Sequence, residues 1–196
     1  IYLYCTAPVP EEARRAILEP VCTVLEIGNS FWELEDNGTL KNGIDFDILY
    51  RDLDSFSAGI GEVVENFRAG NGYTTCMWHN LSTCKIICDK AGRLQRAKDR
   101  FSVPYPKQLK ENIIHRNMQL LRGAMPAYEG QILKAAGRGD VVSLNHRTAA
   151  FLESYFDILF ALNEQTHPGE KRLMTLCRQR CQTLPENFEE NLEKLY

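Results

Sequence analysis

The first half of the chain alternates β-like apolar runs with amphipathic stretches. Three segments, residues 1–5, 22–27 and 44–50, are predicted to be strands because they are apolar or alternate apolar with polar positions. Residues 11–18 and 53–69 are predicted to be helices from their helix formers and helical spacing of apolar residues. Two further segments, residues 73–81 and 83–88, have strand-like composition. Residues 29–42 are predicted to form a helical turn and then a loop with a turn at Asp36-Asn37-Gly38.

The second half of the chain carries helical patterns almost throughout. The predicted helices span residues 107–122, 128–138, 142–163, 169–183 and 185–196. Pro104-Tyr105-Pro106 marks the change in composition. We therefore predict an α+β fold, with a small mixed-sheet domain over residues 1–103 and a helical bundle over residues 104–196. The chain starts without Met and inside a predicted strand, so we expect an N-terminal piece to be missing.

The composition is that of a soluble globular protein. Hydrophobic residues make up 44% and charged residues 25% of the 196 residues, and the net charge is −3. This charge argues against a strongly basic nucleic-acid binder, so nucleic acid is not an expected partner. The apolar runs are too short to span a membrane. Seven cysteines, an odd number, without a visible secretory signal predict a reducing, cytoplasmic environment.

Two acidic residues interrupt the apolar run of residues 44–50. Asp45 and Asp47 lie two positions apart, so in a strand they share a face and are about 7 Å apart. Adjacent carboxylates repel each other, and a hard divalent cation such as Mg²⁺ is a common neutraliser. An edge strand that shows both acids to water would give the same pattern. Just upstream, Gly28-Asn29-Ser30 follows an apolar segment and offers backbone approach and a hydroxyl group to a phosphate.

Together, the Gly28-Asn29-Ser30 turn and the Asp45-Phe46-Asp47 strand resemble the signature of the nucleotidyltransferase superfamily related to DNA polymerase β, which includes the aminoglycoside nucleotidyltransferases. A closer resemblance is to a bacterial family of uncharacterised predicted nucleotidyltransferases with a C-terminal domain of unknown function. The blocks that carry this closer resemblance are Gly43–Arg51, Ser143–Arg147, Phe160–Asn163 and His167–Lys171.

The resemblance implies a small nucleotidyltransferase domain that holds Mg²⁺ and a nucleoside triphosphate such as ATP. It assigns Asp45 and Asp47 to the metal, and Gly28 and Ser30 to the triphosphate, with Asn29 between them as a further amide donor. It also implies that the helical domain supplies a lysine to the triphosphate and an acid to the acceptor hydroxyl.

The residues of the helical half leave these last two roles open. Lys171 is the candidate lysine. Glu153 and Asp157 are candidates for the acid because positions i and i+4 share a helix face, and Glu129 is another option.

The sequence lacks one expected feature. Many active members of the superfamily have a third carboxylate on a neighbouring strand, but residues 73–81 contain no acid. Two hypotheses follow. The first is a Mg²⁺-dependent enzyme that moves a nucleoside monophosphate to a hydroxyl of a small molecule or protein. The second is a catalytically inactive, nucleotidyltransferase-like binding or regulatory protein, comparable to an antitoxin.

Overall fold

The computed structural model describes residues 1–123 and 125–195. The chain divides into two compact units. The sheet unit comprises residues 1–59 and 92–94, and the helical unit comprises residues 60–91 and 95–196. The composition change at Pro104 therefore lies inside the helical unit.

The sheet unit is built on four strands. They are β1 (Tyr2–Cys5), β2 (Cys22–Asn29), β3 (Glu35–Leu40) and β4 (Asp45–Asp52). Their order is β1-β4-β3-β2; β1 pairs with β4 in parallel, and the other two pairings are antiparallel. Helix α1 (Glu11–Leu18) and a 3₁₀ turn (Glu19–Val21) lie between β1 and β2. The mixed sheet followed by helices confirms the predicted α+β fold class.

The prediction of a helical turn and a loop over residues 29–42 is wrong for Glu35–Leu40, which form β3. Asp36-Asn37-Gly38 has the composition of a turn, but it lies in the middle of β3 and pairs with β2 on one side and β4 on the other. Gly38 explains part of the difference. A Cβ atom at Gly38 would lie 2.9 Å from the ring of Phe46 and 2.7 Å from the carbonyl oxygen of Val24, so the glycine allows close cross-strand packing rather than a reversal.

The helical unit contains most of the helices. They are α2 (Leu53–Val64) and α4 (Arg93–Arg100), which each contribute to both units, and α3 (Cys76–Thr83), α5 (Lys107–Met118), α6 (Tyr128–Gly137), α7 (Val141–Leu162), α8 (Leu173–Arg180) and α9 (Phe188–Glu193). A π-helical segment, Gln119–Gly123, extends α5. No helix in the described part of the chain has the length and apolar character needed to cross a membrane.

The strands predicted over residues 73–81 and 83–88 are wrong. In the first segment, only residues 73–75 are loop, and residues 76–81 belong to α3. The second segment begins at Thr83, the last residue of α3, and continues as irregular backbone. The reason is a buried face at helical spacing, because Trp78 and Leu81 are both buried, and Trp78 Nε1 donates to the carbonyl oxygen of Phe101 at 2.9 Å. Tertiary contacts therefore outweigh the β-like composition.

The core of the helical unit is assembled around α7. Phe156, Leu159 and Phe160 of this helix pack in one cluster with Cys177 of α8 and Phe188 of α9. Leu109 and Ile113 of α5 are fully buried as well. The helix predicted over residues 142–163 therefore turns its apolar residues toward the core.

Candidate functional site

The two acids of β4 lie on the exposed face of the sheet. Asp45 and Asp47 are both exposed, and each receives a hydrogen bond from the neighbouring strand β3. Thr39 Oγ1 donates to Asp45 Oδ1 at 2.7 Å, and Asn37 Nδ2 donates to Asp47 Oδ1 at 2.8 Å. Each carboxylate is therefore oriented by one donor and retains its second oxygen for a ligand.

The turn after β2 is linked to the same face. Asn29 Nδ2 donates to Asn37 Oδ1 at 3.4 Å, and Asn29 Oδ1 accepts from the N–H of Phe31 at 3.1 Å. Since Asn37 also donates to Asp47, the structure connects Asn29 with Asp47 through one side chain. Ser30 follows at the exposed end of β2.

Gly28 is held by an internal contact. Its φ of +79° lies in the left-handed region, which favours glycine. Its N–H donates to Asp36 Oδ1 at 3.0 Å, so this donor already has an acceptor within the sheet unit. Among the three turn residues assigned to a triphosphate, the exposed Ser30 therefore offers a hydroxyl group, and Asn29 retains the second N–H of its amide.

A third carboxylate lies on the same face, on the edge strand β2. Glu26 of β2 is the register partner of Asn37, which is the register partner of Asp47. Partners in antiparallel strands project to the same side, so Glu26, Asn37 and Asp47 form one row across the sheet, with Glu26 and Asp47 about 10 Å apart at their backbones. The sequence left Glu26 unassigned, because strand pairing and not local pattern brings it to this row.

The opposite face of β3 carries a buried ionic cluster that was not predicted. Asp36 is completely buried and forms an ion pair with Arg14 of α1, while the hydroxyl of Tyr50 donates to Asp36 Oδ2 at 2.8 Å. Burial, and then the hydrogen bond and charge of Asp36, raise the pKa of Tyr50 to about 12. Burial lowers the pKa of Arg14, but its hydrogen bond and ion pair with Asp36 outweigh this effect, so the net pKa is raised. The cluster anchors β3 and β4 to α1, which fixes the strands that carry Asn37 and Asp47.

The side chains on the exposed face can supply a hard cation with only some of the oxygen ligands that it needs. Mg²⁺ is commonly held by one or two protein carboxylates, with water and substrate phosphates completing its octahedron. Asp45 and Asp47 could supply two oxygens, with Thr39 and Asn37 holding them from behind. Across residues 1–123 and 125–195, no group of three or more acidic, histidine or cysteine side chains has the spacing of a metal site. A cation here would therefore depend on oxygens from its substrate.

The predicted residues of the helical half lie in very different environments. Glu153 and Asp157 both lie on α7, but Glu153 is exposed while Asp157 is 1% exposed. Asp157 accepts hydrogen bonds from the N–H of Thr74 at 3.0 Å, from Thr74 Oγ1 at 2.6 Å and from Asn117 Nδ2 at 3.1 Å. Burial nevertheless raises its pKa to about 6. These contacts make Asp157 a structural residue, because it holds the loop before α3 against α5 and α7. Lys171 is exposed just before α8.

Two histidines are buried near this loop. His79 Nδ1 lies 2.7 Å from Thr166 Oγ1, and burial lowers its pKa. His167 is completely buried, with its ring against Tyr73 and Phe160, and its Nδ1 accepts from the N–H of Gly169 at 3.1 Å. Burial, with a smaller contribution from His79, lowers the pKa of His167 to about 4. Burial therefore favours the neutral form of both rings.

Comparisons with curated proteins and with solved structures found no match. One family profile, described as "Domain of unknown function (DUF4037)", matches residues 73–173. The match begins at the loop that Asp157 holds and ends at the first residue of α8, so it lies within residues assigned to the helical unit apart from the short 92–94 segment. It covers just over half of the chain, and the chain therefore belongs to the DUF4037 family.

Proposed function

We propose that this protein is a Mg²⁺-dependent nucleotidyltransferase that moves a nucleoside monophosphate from a nucleoside triphosphate, with ATP as the first candidate, to a hydroxyl group of a small molecule or a protein. The observation that carries the proposal is the arrangement of Asp45 and Asp47 on the exposed face of β4, each held by a donor from β3. The resemblance of the Gly28-Asn29-Ser30 turn and the Asp45-Phe46-Asp47 strand to the polymerase β-related superfamily supports it.

The proposed reaction is a single displacement at the α-phosphorus. The acceptor oxygen forms a bond to this phosphorus, the bond to the pyrophosphate oxygen breaks, and the acceptor hydroxyl loses its proton. Bound Mg²⁺ would neutralise triphosphate charge and the charge that builds on the leaving oxygens.

In this scheme, Asp45 and Asp47 would hold the cation. Asn37 and Thr39 would keep the two carboxylates in fixed rotamers. The two side chains would therefore lose little conformational entropy when the cation binds. Ser30 and Asn29, at the end of β2, would donate hydrogen bonds to phosphate oxygens.

The test is calorimetric titration of the protein with each nucleoside triphosphate, with and without Mg²⁺. We expect binding that requires Mg²⁺ and that is lost in Asp45→Asn and in Asp47→Asn. Asp54→Asn is the matched control, because it makes the same change at an exposed aspartate of the same unit that is paired with Arg93. Binding that is equally strong without Mg²⁺, or unchanged in the Asp45→Asn/Asp47→Asn double variant, would contradict the proposal.

A second candidate function is nucleotide binding without transfer, in a regulatory protein. Both acids already accept hydrogen bonds from side chains of β3, an arrangement that also suits a purely structural polar row. The two candidates differ in product. Incubation with α-³²P-labelled nucleotide and a panel of hydroxyl acceptors yields labelled acceptor and pyrophosphate only if transfer occurs, whereas the regulatory protein would bind nucleotide and leave it intact.

A further inference from the structure

The helical unit contains an open pocket of about 630 Å³. Its apolar lining is formed by Leu152, Phe156, Leu173, Met174 and Leu192. Pockets of about 300–1,000 Å³ with a mostly apolar lining and a few polar groups are typical of small-molecule sites. The size and lining therefore suit an organic molecule with an apolar body.

Three charged side chains stand at this pocket. They are Glu153 of α7, Arg172 at the start of α8 and Glu193 at the end of α9. Their side chains form no ion pair with any residue that the structure describes, whereas Arg178 and Glu189 nearby in sequence pair with each other. The pocket thus combines an apolar lining with charges that are available to a ligand.

The balance of charge is negative. Burial raises the pKa of the Tyr73 hydroxyl, and the charges of Glu153 and Glu170 raise it further, so both carboxylates act on the pocket wall that Tyr73 forms. Glu193 adds a third carboxylate, and Arg172 is the one cation among the described lining residues. A cationic group on a ligand is therefore favoured over an anionic one.

The wall around these charges has a strained but well-supported backbone. Tyr73 and Arg172 both have positive φ angles, 53° and 57°, although neither is glycine. Such conformations persist only where the surroundings impose them, and they concentrate at binding sites. For Tyr73 the support is visible, because its ring packs on His167 and the next residue, Thr74, is held by Asp157.

We propose that this pocket binds an organic amine with an apolar body, with the ammonium group near Glu153 and Glu193 and the apolar part against Leu152, Phe156 and Leu192. The site lies largely in the segment that defines the family, since Tyr73, Glu153 and Arg172 fall within residues 73–173. The proposal is independent of the proposed function, because it uses only residues of the helical unit.

The experiment compares three probes with the same apolar body, 4-phenylbutylamine, 4-phenylbutan-1-ol and 4-phenylbutyrate, by calorimetric titration of the full chain at pH 7. We expect the amine to bind about tenfold more tightly than the alcohol, as a charge-assisted hydrogen bond allows, and the carboxylate to bind most weakly. Glu153→Gln should lower the affinity for the amine about tenfold and leave the affinity for the alcohol unchanged. Glu186→Gln, an exposed glutamate outside the lining, is the matched control and should change neither.

A second variant tests the location of the site. Ala149 is an exposed lining residue of α7, so Ala149→Trp should fill the pocket and abolish binding of all three probes without disturbing the core. Thermal unfolding monitored by circular dichroism verifies that each variant is folded. Equal binding of the three probes, retention of amine binding in Ala149→Trp, or no binding of the amine at millimolar concentration would each overturn the proposal.

Discussion

The sheet unit and the helical unit each bury an aspartate almost completely, but they stabilise it with different partners. Asp36 in the sheet unit has the guanidinium of Arg14, the hydroxyl of Tyr50 and the N–H of Gly28. Within the part of the chain that the structure describes, Asp157 of the helical unit has only neutral donors, from Thr74 and Asn117. The first carboxylate is matched by a full opposite charge. The second is not, and burial raises its pKa to about 6.

The difference shows that hydrogen bonds alone do not offset the loss of hydration for a buried carboxylate. Desolvation disfavours the charged form, and neutral donors recover only part of that free energy, whereas an ion pair can recover more if its geometry is good. The cation makes the sheet-unit cluster dependent on both partners. Asp157 has no cationic partner among the described residues, so the stability of the helical-unit cluster depends on pH.

The largest effect should come from removing the charge of Asp36. In Asp36→Asn, the guanidinium of Arg14 stays buried without a counter-charge, so we expect the free energy of unfolding of the sheet unit to fall by about 3–5 kcal/mol. Amide hydrogen exchange in β3 and β4, measured against urea, reports on this unit. The double variant Arg14→Met/Asp36→Leu removes both charges and should lose much less. A loss below about 1 kcal/mol in Asp36→Asn would contradict the role given to the ion pair.

The next effect concerns the buried base of the helical unit, His167. Its pKa is lowered to about 4 from an ordinary value of about 6.5. Between these pH values, His167 therefore binds a proton in the unfolded chain but not in the folded chain. The stability that this neutral ring contributes is present above pH 6.5 and is lost as the pH falls toward 4, by about 3 kcal/mol.

His167→Asn removes this titration while leaving an acceptor for the N–H of Gly169. The variant is expected to be less stable at pH 7, because the ring contacts with Tyr73 and Phe160 are lost, but the difference from the wild type should shrink as the pH falls from 6.5 to 4. Urea denaturation monitored by the fluorescence of the buried Trp78 measures it. If the difference in stability between the wild type and His167→Asn stayed constant with pH, His167 would not be the group that titrates.

The titration of Asp157 should change the free energy of unfolding with pH in the direction opposite to that of His167, and by slightly less. Its folded pKa of about 6 lies above the ordinary value of about 4, so the folded state binds the proton more readily between these pH values. The stability that the protonated form contributes is present below pH 4 and is lost as the pH rises through 6, again by about 3 kcal/mol. Since His167 acts in the opposite direction over nearly the same range, the wild-type profile should be flatter than that of either variant.

Asp157→Asn sharpens this point, because the amide cannot lose a proton. Relative to the wild type, the variant should become less stable as the pH falls from 6 to 4, because only the wild type is stabilised by protonation of residue 157. The measurement is the pH dependence of the urea midpoint between pH 4 and pH 7.

Some of these features could be predicted from the sequence because they depend on local pattern. The alternation of residues 44–50 places Asp45 and Asp47 on one face, and the structure shows this strand as β4. The apolar stripe of residues 142–163 likewise gave α7 within one residue at each end. In both segments the buried face repeats at the period of the element, so no distant partner is needed to identify it.

The rest depended on pairing between segments that are distant in sequence. Asp36-Asn37-Gly38 has turn composition, and its pairing with β2 on one side and β4 on the other makes it a strand. The position of Glu26 beside Asn37 depends on the register of β2, which shifts on either side of it. Asp157 could be placed on a helix face with Glu153, but its burial comes from Thr74 and Asn117, which lie 83 and 40 residues away.

The smallest effect on stability is expected where the charges are exposed. Asp45 and Asp47 lie on the water-facing side of β4, and an asparagine at either position keeps an oxygen that can accept from Thr39 or Asn37. Each replacement also relieves the repulsion between two neighbouring carboxylates, so Asp45→Asn and Asp47→Asn should change the free energy of unfolding by no more than about 0.5 kcal/mol. Amide exchange of β4 measures this, with Asp36→Asn as the contrasting variant. A loss comparable to that of Asp36→Asn would mean that these two acids are part of the framework of the sheet and that their conspicuous spacing serves folding. A negligible change together with loss of Mg²⁺-dependent nucleotide binding would instead mean that the like-charge pair is kept for a ligand, because the fold gains nothing from it.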